Sequence, residues 1–306
     1  MDSNRYYLTT YGIDGNPLVE VDFSIIDQIK KSMNILAIIR TIEEQYDIVV
    51  GNYKELLKEI FEVTIDNNLY SPSDIIFLHE FSRKINIRLL NFLNSAKMYQ
   101  DHLHASLLKI DNTKGRSYIQ RVGQLKKQNI SICILEALRN HIQHYGIPTF
   151  TSEGTKRITR NTEDIIVHYL LIIIEVEYFK KDKKVRDTIP KEILSQNIEL
   201  NSHIKEYFSY LSNEIEEVRQ LFIEEYSSST ILIDRMIEMY SKVYPEIMEK
   251  WQKILCIIRN EENSYMVEFN RNNIDLIEKL RSRNKKGINL INRFFTDFDT
   301  LALNRL

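Results

Sequence analysis

The sequence predicts a mainly α fold: long helices packed as a helical bundle, with a small β element. Three observations predict it. The 306 residues include only 8 Gly and 5 Pro, so few turns are punctuated and helices can run long. Ile35, Ile39, Ile42, Tyr46, Val49, Tyr53, Leu56 and Ile60 recur at alternating steps of four and three, which is one apolar face of a helix and in places a coiled-coil seam. Residues 129–148, NISICILEALRNHIQHYGIP, join good helix formers to Gly146, which can close a helix in a positive-φ conformation, and to Pro148, which blocks its continuation.

Taken in order, Arg5–Tyr11 and Leu18–Phe23 are β-prone and flank Asp14-Gly15-Asn16-Pro17, a turn sequence, so a small N-terminal hairpin is expected. The seam predicts a helix from about Ser24 to Val63, packed within the monomer, with Gly51 its weak point. Thr64–Ser73 reads as a loop, and Ser73 or Asp74 as the cap of a central helix reaching about Ile110. On that helix Arg83, Arg88, Asn91, Asn94, Asp101 and His102 are candidates to face the 129–145 helix. Residues 112–129, NTKGRSYIQRVGQLKKQN, read as a connection with five basic residues and no acid. Either it is a basic approach to an anionic site or it is a solvated linker. Residues 150–163 are polar and irregular. Ile165–Phe179 is dense in Ile, Val and Tyr, which favours a buried strand or strand pair. Lys180, Lys181, Lys183, Lys184 and Arg186 read as a solvated loop. Helices are expected at 200–226, from Thr230 to about Asn260 with Pro245 ending or kinking it, and at 272–283 and 287–300, with a short strand at Tyr265–Phe269. The chain divides into a β-prone segment (1–23), a helical core (24–185) and a C-terminal helical region (186–306).

Composition narrows the function classes. Lys+Arg number 41 against Asp+Glu 43, so there is no global attraction to nucleic acid, and any RNA binding must use a local basic patch. Cys133 and Cys256 lie in apolar runs and suit small core residues in a reducing, cytoplasmic setting. No secretory signal opens the sequence, and no apolar stretch reaches the roughly 18 residues of a membrane span, so no membrane partner is expected. Gly-rich phosphate loops and Gly-x-Ser-x-Gly elbows are lacking, which counts against nucleotide and serine hydrolases.

The 129–145 helix holds the chemistry. Taking Arg139 as origin, Gln143, Glu136, Asn140 and His144 fall at about 40°, 60°, 100° and 140°, while Ile134, Leu135, Leu138 and Ile142 fill the opposite arc. One reading is an ordinary amphipathic helix with a solvated polar face. Arg139-Asn-His-Ile-Gln-His144 also resembles the motif of the HEPN superfamily, an Arg followed by four to six residues and a His, with a polar residue (here Asn140) after the Arg. RLLNFLNSAKMYQDHL at 88–103 is similar to the helix that precedes the motif in uncharacterised bacterial proteins of that kind. The resemblance implies a HEPN-like helical bundle over 24–185. It also implies a metal-independent endoribonuclease acting as a homodimer on RNA, in toxin–antitoxin or anti-phage defence, with an antitoxin or defence partner and no cofactor.

Such chemistry needs a proton carrier near neutrality and a cation on the phosphate. Histidine supplies the first, and a guanidinium matches the second in charge and geometry. The candidate catalytic residues are therefore His144 as general acid or base, Arg139 on the phosphate and Asn140 orienting it, with His141 a weaker candidate at about 200°. Arg116, Arg121, Lys126 and Lys127 are the candidate RNA-binding residues. Arg139 and His144 diverge by about 140° on one helix, so two-fold packing of this helix against its copy would be needed to pool them. A metal site built on His141 and His144 is disfavoured, because only Glu136 offers a nearby carboxylate. The alternative function is a catalytically inactive helical protein that dimerises or binds a partner through the same arc.

Overall fold

The computed structural model describes residues 5–10, 18–70, 75–160, 163–245, 254–259 and 265–285. The chain is mainly helical with two small antiparallel sheets. In order these are β1 (Tyr6–Thr10), β2 (Val19–Val21), α1 (Phe23–Tyr70), α2 (Ile75–Ile110), α3 (Asn112–Gln128), α4 (Ile130–Tyr145), β3 (Thr149–Arg160), β4 (Glu163–Ile174), α5 (Val176–Phe179), α6 (Lys183–Thr188), a 3₁₀ turn (Ile193–Ser195), β5 (Ile198–Glu199), α7 (Asn201–Leu221), α8 (Ile223–Val243), β6 (Leu255–Arg259), β7 (Tyr265–Phe269) and α9 (Asn272–Arg283). No helix among the described residues is long and apolar enough to cross a membrane.

The chain forms two compact units, each assembled from separated stretches. The first takes residues up to Glu44, Ser106–Asn112 and Glu217–Lys285. The second takes Gln45–Ala105 and Thr113–Glu216. These spatial units do not follow the linear divisions at 23 and 185, because most of α7 belongs with α2, α3 and α4.

In the first unit the sheet order is β2-β1-β6-β7. The N-terminal hairpin forms as its two β-prone runs predict, with Tyr6 opposite Val21; its turn at Asp14–Pro17 lies outside the described residues. Leu8 and Ile257 from the sheet pack with Ile29, Leu36, Ile233, Tyr240 and Ile274 from α1, α8 and α9 in one buried cluster. Of the two outcomes expected at Pro245, an end or a kink on the way to Asn260, the helix takes the first and stops at Val243, and Leu255–Arg259 is a strand instead of helix. Its four leading residues are all buried between β1 and β7, a position that an all-apolar run with two isoleucines fits.

In the second unit every seam residue of α1 from Tyr46 to Ile60 is buried, as the four-three spacing predicts. Tyr53 stacks on Phe208 of α7 at 3.9 Å between ring centroids, and Phe92 of α2 joins them at 5.5 Å from Tyr53. The loop expected from Thr64 is helix through Tyr70. The Thr64 hydroxyl donates back to the Ile60 carbonyl, so the side chain is satisfied without leaving the helix. The predicted cap at Ser73 or Asp74 lies outside the described residues, as does the helix expected at 287–300.

Three further expectations are corrected. Residues 112–129 are not a connection but α3, which buries Gly115, Tyr118 and Val122 on one narrow stripe and leaves its basic residues largely outward. Residues 150–160 are not irregular but strand β3, paired with β4 from Thr149–Ile174 to Arg160–Glu163. A side chain at Gly154 would run into the ring of Tyr169, which lies across it, so this position needs glycine. The basic run after Phe179 is not a plain loop: Asp182 caps α6, and Val185 is buried beneath its lysines. Beyond the short β5, buried Asn201 closes the outer edge of β4, accepting from the Ile172 N–H at 2.9 Å and donating to the Leu170 carbonyl at 2.8 Å.

Candidate functional site

Helix α4 is fixed at both ends. At its start the Asn129 side chain accepts from the Ile132 N–H at 3.1 Å, an N-cap. Two residues on, the buried Ser131 hydroxyl donates to Glu206 Oε2 at 2.6 Å and lies 2.7 Å from His203 Nδ1. Asn129 Nδ2 donates to the other Glu206 oxygen at 3.1 Å. The α7 carboxylate thus sits at the positive end of α4. Ser131→Ala should cost about 1–3 kcal/mol in urea unfolding, because it strips a buried charge-assisted hydrogen bond; an unchanged midpoint would show that Asn129 alone holds this end. At the other end Gly146 takes φ +101°, and the Tyr178 hydroxyl donates to the Tyr145 carbonyl. That hydroxyl satisfies one of the carbonyls left over where a helix stops.

The side chains fall largely where the wheel puts them. Ile134, Leu135 and Leu138 are buried, Arg139 and Asn140 are half-buried, and Gln143 and His144 are exposed. The Arg139 guanidinium is held by two amide oxygens: Nη1 donates to Asn140 Oδ1 at 3.1 Å and Nε to Asn94 Oδ1 at 3.4 Å. No carboxylate among the described residues pairs with it. With Asn140 it lines a cavity of about 60 Å³ whose other walls are Leu93, Lys97, Leu135, Glu136 and Tyr207, the Glu136 carboxylate being paired with Lys126. Of the α2 residues expected to face α4, Asn94 does so. Arg88 pairs with Glu59 of α1 at 3.1 Å and Asp101 with Lys97 at 2.7 Å, while Arg83, Asn91 and His102 are exposed. Among the described residues no hydrogen bond joins Arg139 to His144.

A larger cavity, of about 340 Å³, opens on the other side of Asn140, where α6 packs against α4 and the end of α3. Lys126 and Lys127 reach it, as do Asp182, Lys184 and Asp187, which no local pattern places there. The four candidate RNA-binding residues of α3 therefore part company. Arg116 and Lys127 are exposed, and Arg121 lies over the Tyr118 ring at 5.3 Å. Lys126 turns inward, 3.7 Å from Glu136 and over the Tyr210 ring. It also faces buried Glu214, whose carboxyl burial pushes up and Lys126 and the Tyr210 hydroxyl pull back down.

No family model, curated protein or solved structure matches the chain.

His141, the weaker catalytic candidate, is fully buried. It stacks on Tyr145 at 5.0 Å and meets Tyr178 and Phe179 edge-on. Its Nδ1 stands 3.9 Å from Asp182 Oδ2, and neither ring nitrogen has a hydrogen-bond partner. Its place at the margin of the apolar arc put it inside, so it has no contact with solvent. Burial lowers its pKa below the ordinary 6.5, against the pull of Asp182. The unfolded chain therefore takes up a proton near pH 6.5 that the folded chain resists, so this group's contribution to stability is present above that pH and lost as pH falls below it. His104 and His203 act in the same sense and Glu214 in the opposite one. A comparison of variants isolates the effect: between pH 7.5 and 5, His141→Phe should lose less stability than wild type in thermal unfolding. Parallel losses would mean that His141 titrates alike in both states.

Proposed function

We propose that the chain is a metal-independent endoribonuclease of the HEPN type, active as a homodimer, and that its role is that of a toxin or anti-phage effector. The observation that carries this is the state of Arg139. It is a guanidinium steadied by two neutral amide oxygens and, among the described residues, paired with no carboxylate, since Glu136 on the same cavity pairs with Lys126 instead; it lines that cavity five residues before a solvent-facing histidine. A cation held that way keeps its charge for an anionic ligand.

In the proposed reaction the RNA 2′-hydroxyl attacks the neighbouring phosphorus. The new O2′–P bond forms as the P–O5′ bond breaks, leaving a 2′,3′-cyclic phosphate and a 5′-hydroxyl. His144 accepts the proton of the 2′-hydroxyl or delivers one to the departing 5′-oxygen. Arg139 holds the phosphate oxygens as charge builds on them, and Asn140 orients the guanidinium. Arg139 and His144 of one chain do not meet, so the second copy completes the cleft. Next to His144 the strip Tyr145, Ile147 and Phe150 is 48%, 46% and 38% exposed, and an apolar strip at that position suits a second α4 end. Arg116 and Lys127, exposed on α3, supply the local basic surface that the net charge of −2 does not. The same apolar strip also favours the second reading, a catalytically inactive dimerisation or partner-binding protein.

The test is RNA cleavage in chelator, with the chain's mass in solution measured alongside. The nuclease reading expects a dimer that cuts and leaves cyclic-phosphate ends, activity lost in Arg139→Ala and His144→Ala, and a stability change under about 1 kcal/mol for His144→Ala. No cleavage by wild type, or equal cleavage by all three proteins, leaves only the second reading.

A further inference from the structure

We propose that the larger cavity beside Asn140 is a base-recognition subsite that takes one unpaired guanine next to the cleaved phosphate. This deepens the nuclease reading and rests on it. Asn140 and the Lys126-paired Glu136 border both cavities, so a nucleotide lodged in the larger one has its phosphate at the Arg139 side. At about 340 Å³ the space is at the small end of ligand pockets, suited to one nucleoside and too small for a folded element.

The lining selects the ligand. Lys127 on α3 and Lys184 on α6 bring ammonium groups with no ion-pair partner among the described residues, and Asp187, one turn beyond Lys184, brings a carboxylate in the same condition. Asp182 stands behind them, buried, with Oδ1 committed to the Lys184 N–H at 2.8 Å. Lys126 and Glu136 also line the space but pair with each other at 3.7 Å. A bare anion would meet Glu136, Asp182 and Asp187, and a bare cation would meet the three lysines. A neutral ring with hydrogen-bond acceptors and donors side by side satisfies both signs. Among the four bases only guanine presents two adjacent N–H donors, N1–H and N2–H₂, which one carboxylate accepts together, beside acceptors O6 and N7 for ammonium donors. Adenine and cytosine offer that carboxylate a single amino group, and uracil a single N–H between two carbonyls. Unpaired bases are the part of RNA that proteins read this way. Ala137 and buried Val185 give the cavity its apolar wall, against which a ring can lie.

The experiment titrates the full chain with guanosine, adenosine, cytidine and uridine 5′-monophosphates in chelator, following affinity by calorimetry, and maps cut sites on a mixed-sequence RNA. The subsite expects guanosine monophosphate to bind at least about tenfold tighter than the others, a difference of roughly 1.4 kcal/mol, and cuts to fall beside guanine. Asp187→Asn should erase that preference without lowering the melting temperature, since its side chain is exposed. Lys127→Met with Lys184→Met should weaken guanosine monophosphate binding as well. Guanine-selective binding by a chain that cuts no RNA would sink the nuclease reading and leave the subsite standing. Cleavage with no base preference and no selective binding would do the reverse, and a preference that survives Asp187→Asn overturns the subsite.

Discussion

Glu43→Ala should destabilise the folded chain by about 3–5 kcal/mol, the largest loss of stability expected from any single change described here. Glu43 is 1% exposed and sits between two arginines. Its Oε1 accepts from Arg219 Nε at 3.0 Å and from Arg281 Nε at 2.7 Å, and its Oε2 from Arg219 Nη2 at 2.6 Å. Arg219 also donates to the Asn284 carbonyl at 3.2 Å, and the Arg281 guanidinium lies over the Tyr226 ring at 4.3 Å. One carboxylate therefore ties α1 to α7 and α9 within the first unit. Removing it takes the shared carboxylate away from a buried guanidinium and a half-buried one that face each other, and it is this loss of counter-charge, more than the lost bonds, that sets the size of the effect. The two contributions are separable. The triple variant Glu43→Leu, Arg219→Met, Arg281→Leu should recover most of the loss, because it removes the charges together and fills the space with apolar groups. Urea unfolding followed by far-ultraviolet circular dichroism measures both proteins. A loss below about 1 kcal/mol for Glu43→Ala would mean that water reaches the arginines.

Nothing in the sequence marked Glu43, which shows how far a linear pattern reaches. The α1 seam was legible because helical burial repeats within the chain itself, and Ile35 to Ile60 came out buried throughout. The end of α4 was legible for the same reason: Gly146 and Pro148 act locally. Partners brought from far away were not. Arg219 and Arg281 lie 176 and 238 residues from Glu43, and Asp182 and Asp187 reach the cavity only because α6 folds back on α4. Helix α3 was hidden by its own composition, since three buried residues are too few to stand out among so many basic and polar ones. Strand β3 was hidden because its conformation comes from backbone pairing with β4 rather than from β-prone side chains. At the candidate site Arg139, Asn140 and His144 could be named and their arc drawn. The second oxygen on Arg139, from Asn94 of α2, was one of six possibilities on that helix until packing singled it out.

If the chain is the nuclease proposed, Arg139→Ala should lower RNA cleavage by about 10²–10³-fold, the range found when a single donor to a developing oxyanion is removed. The change should leave stability within about 1 kcal/mol, because Arg139 is half-buried and its bonds go to neutral amides rather than to a charge. Arg139→Lys keeps the charge but not the fork. An ammonium cannot bond Asn94 and Asn140 and still present two parallel N–H groups to a phosphate, so most of the loss should persist. A solely structural arginine would behave differently, and Asn94→Asp separates the two cases. That substitution keeps the shape of the side chain and replaces a neutral acceptor, 3.4 Å from Arg139 Nε, by a carboxylate. If Arg139 is only a strut, the new ion pair should leave the fold as stable or slightly more so, and cleavage should not move. If its free charge is what meets the phosphate, the same ion pair neutralises it. Cleavage should then fall by at least about tenfold, the rate effect of 1.4 kcal/mol, while the melting temperature holds or rises. Stability and activity moving in opposite directions on one isosteric change is a result that packing alone cannot produce.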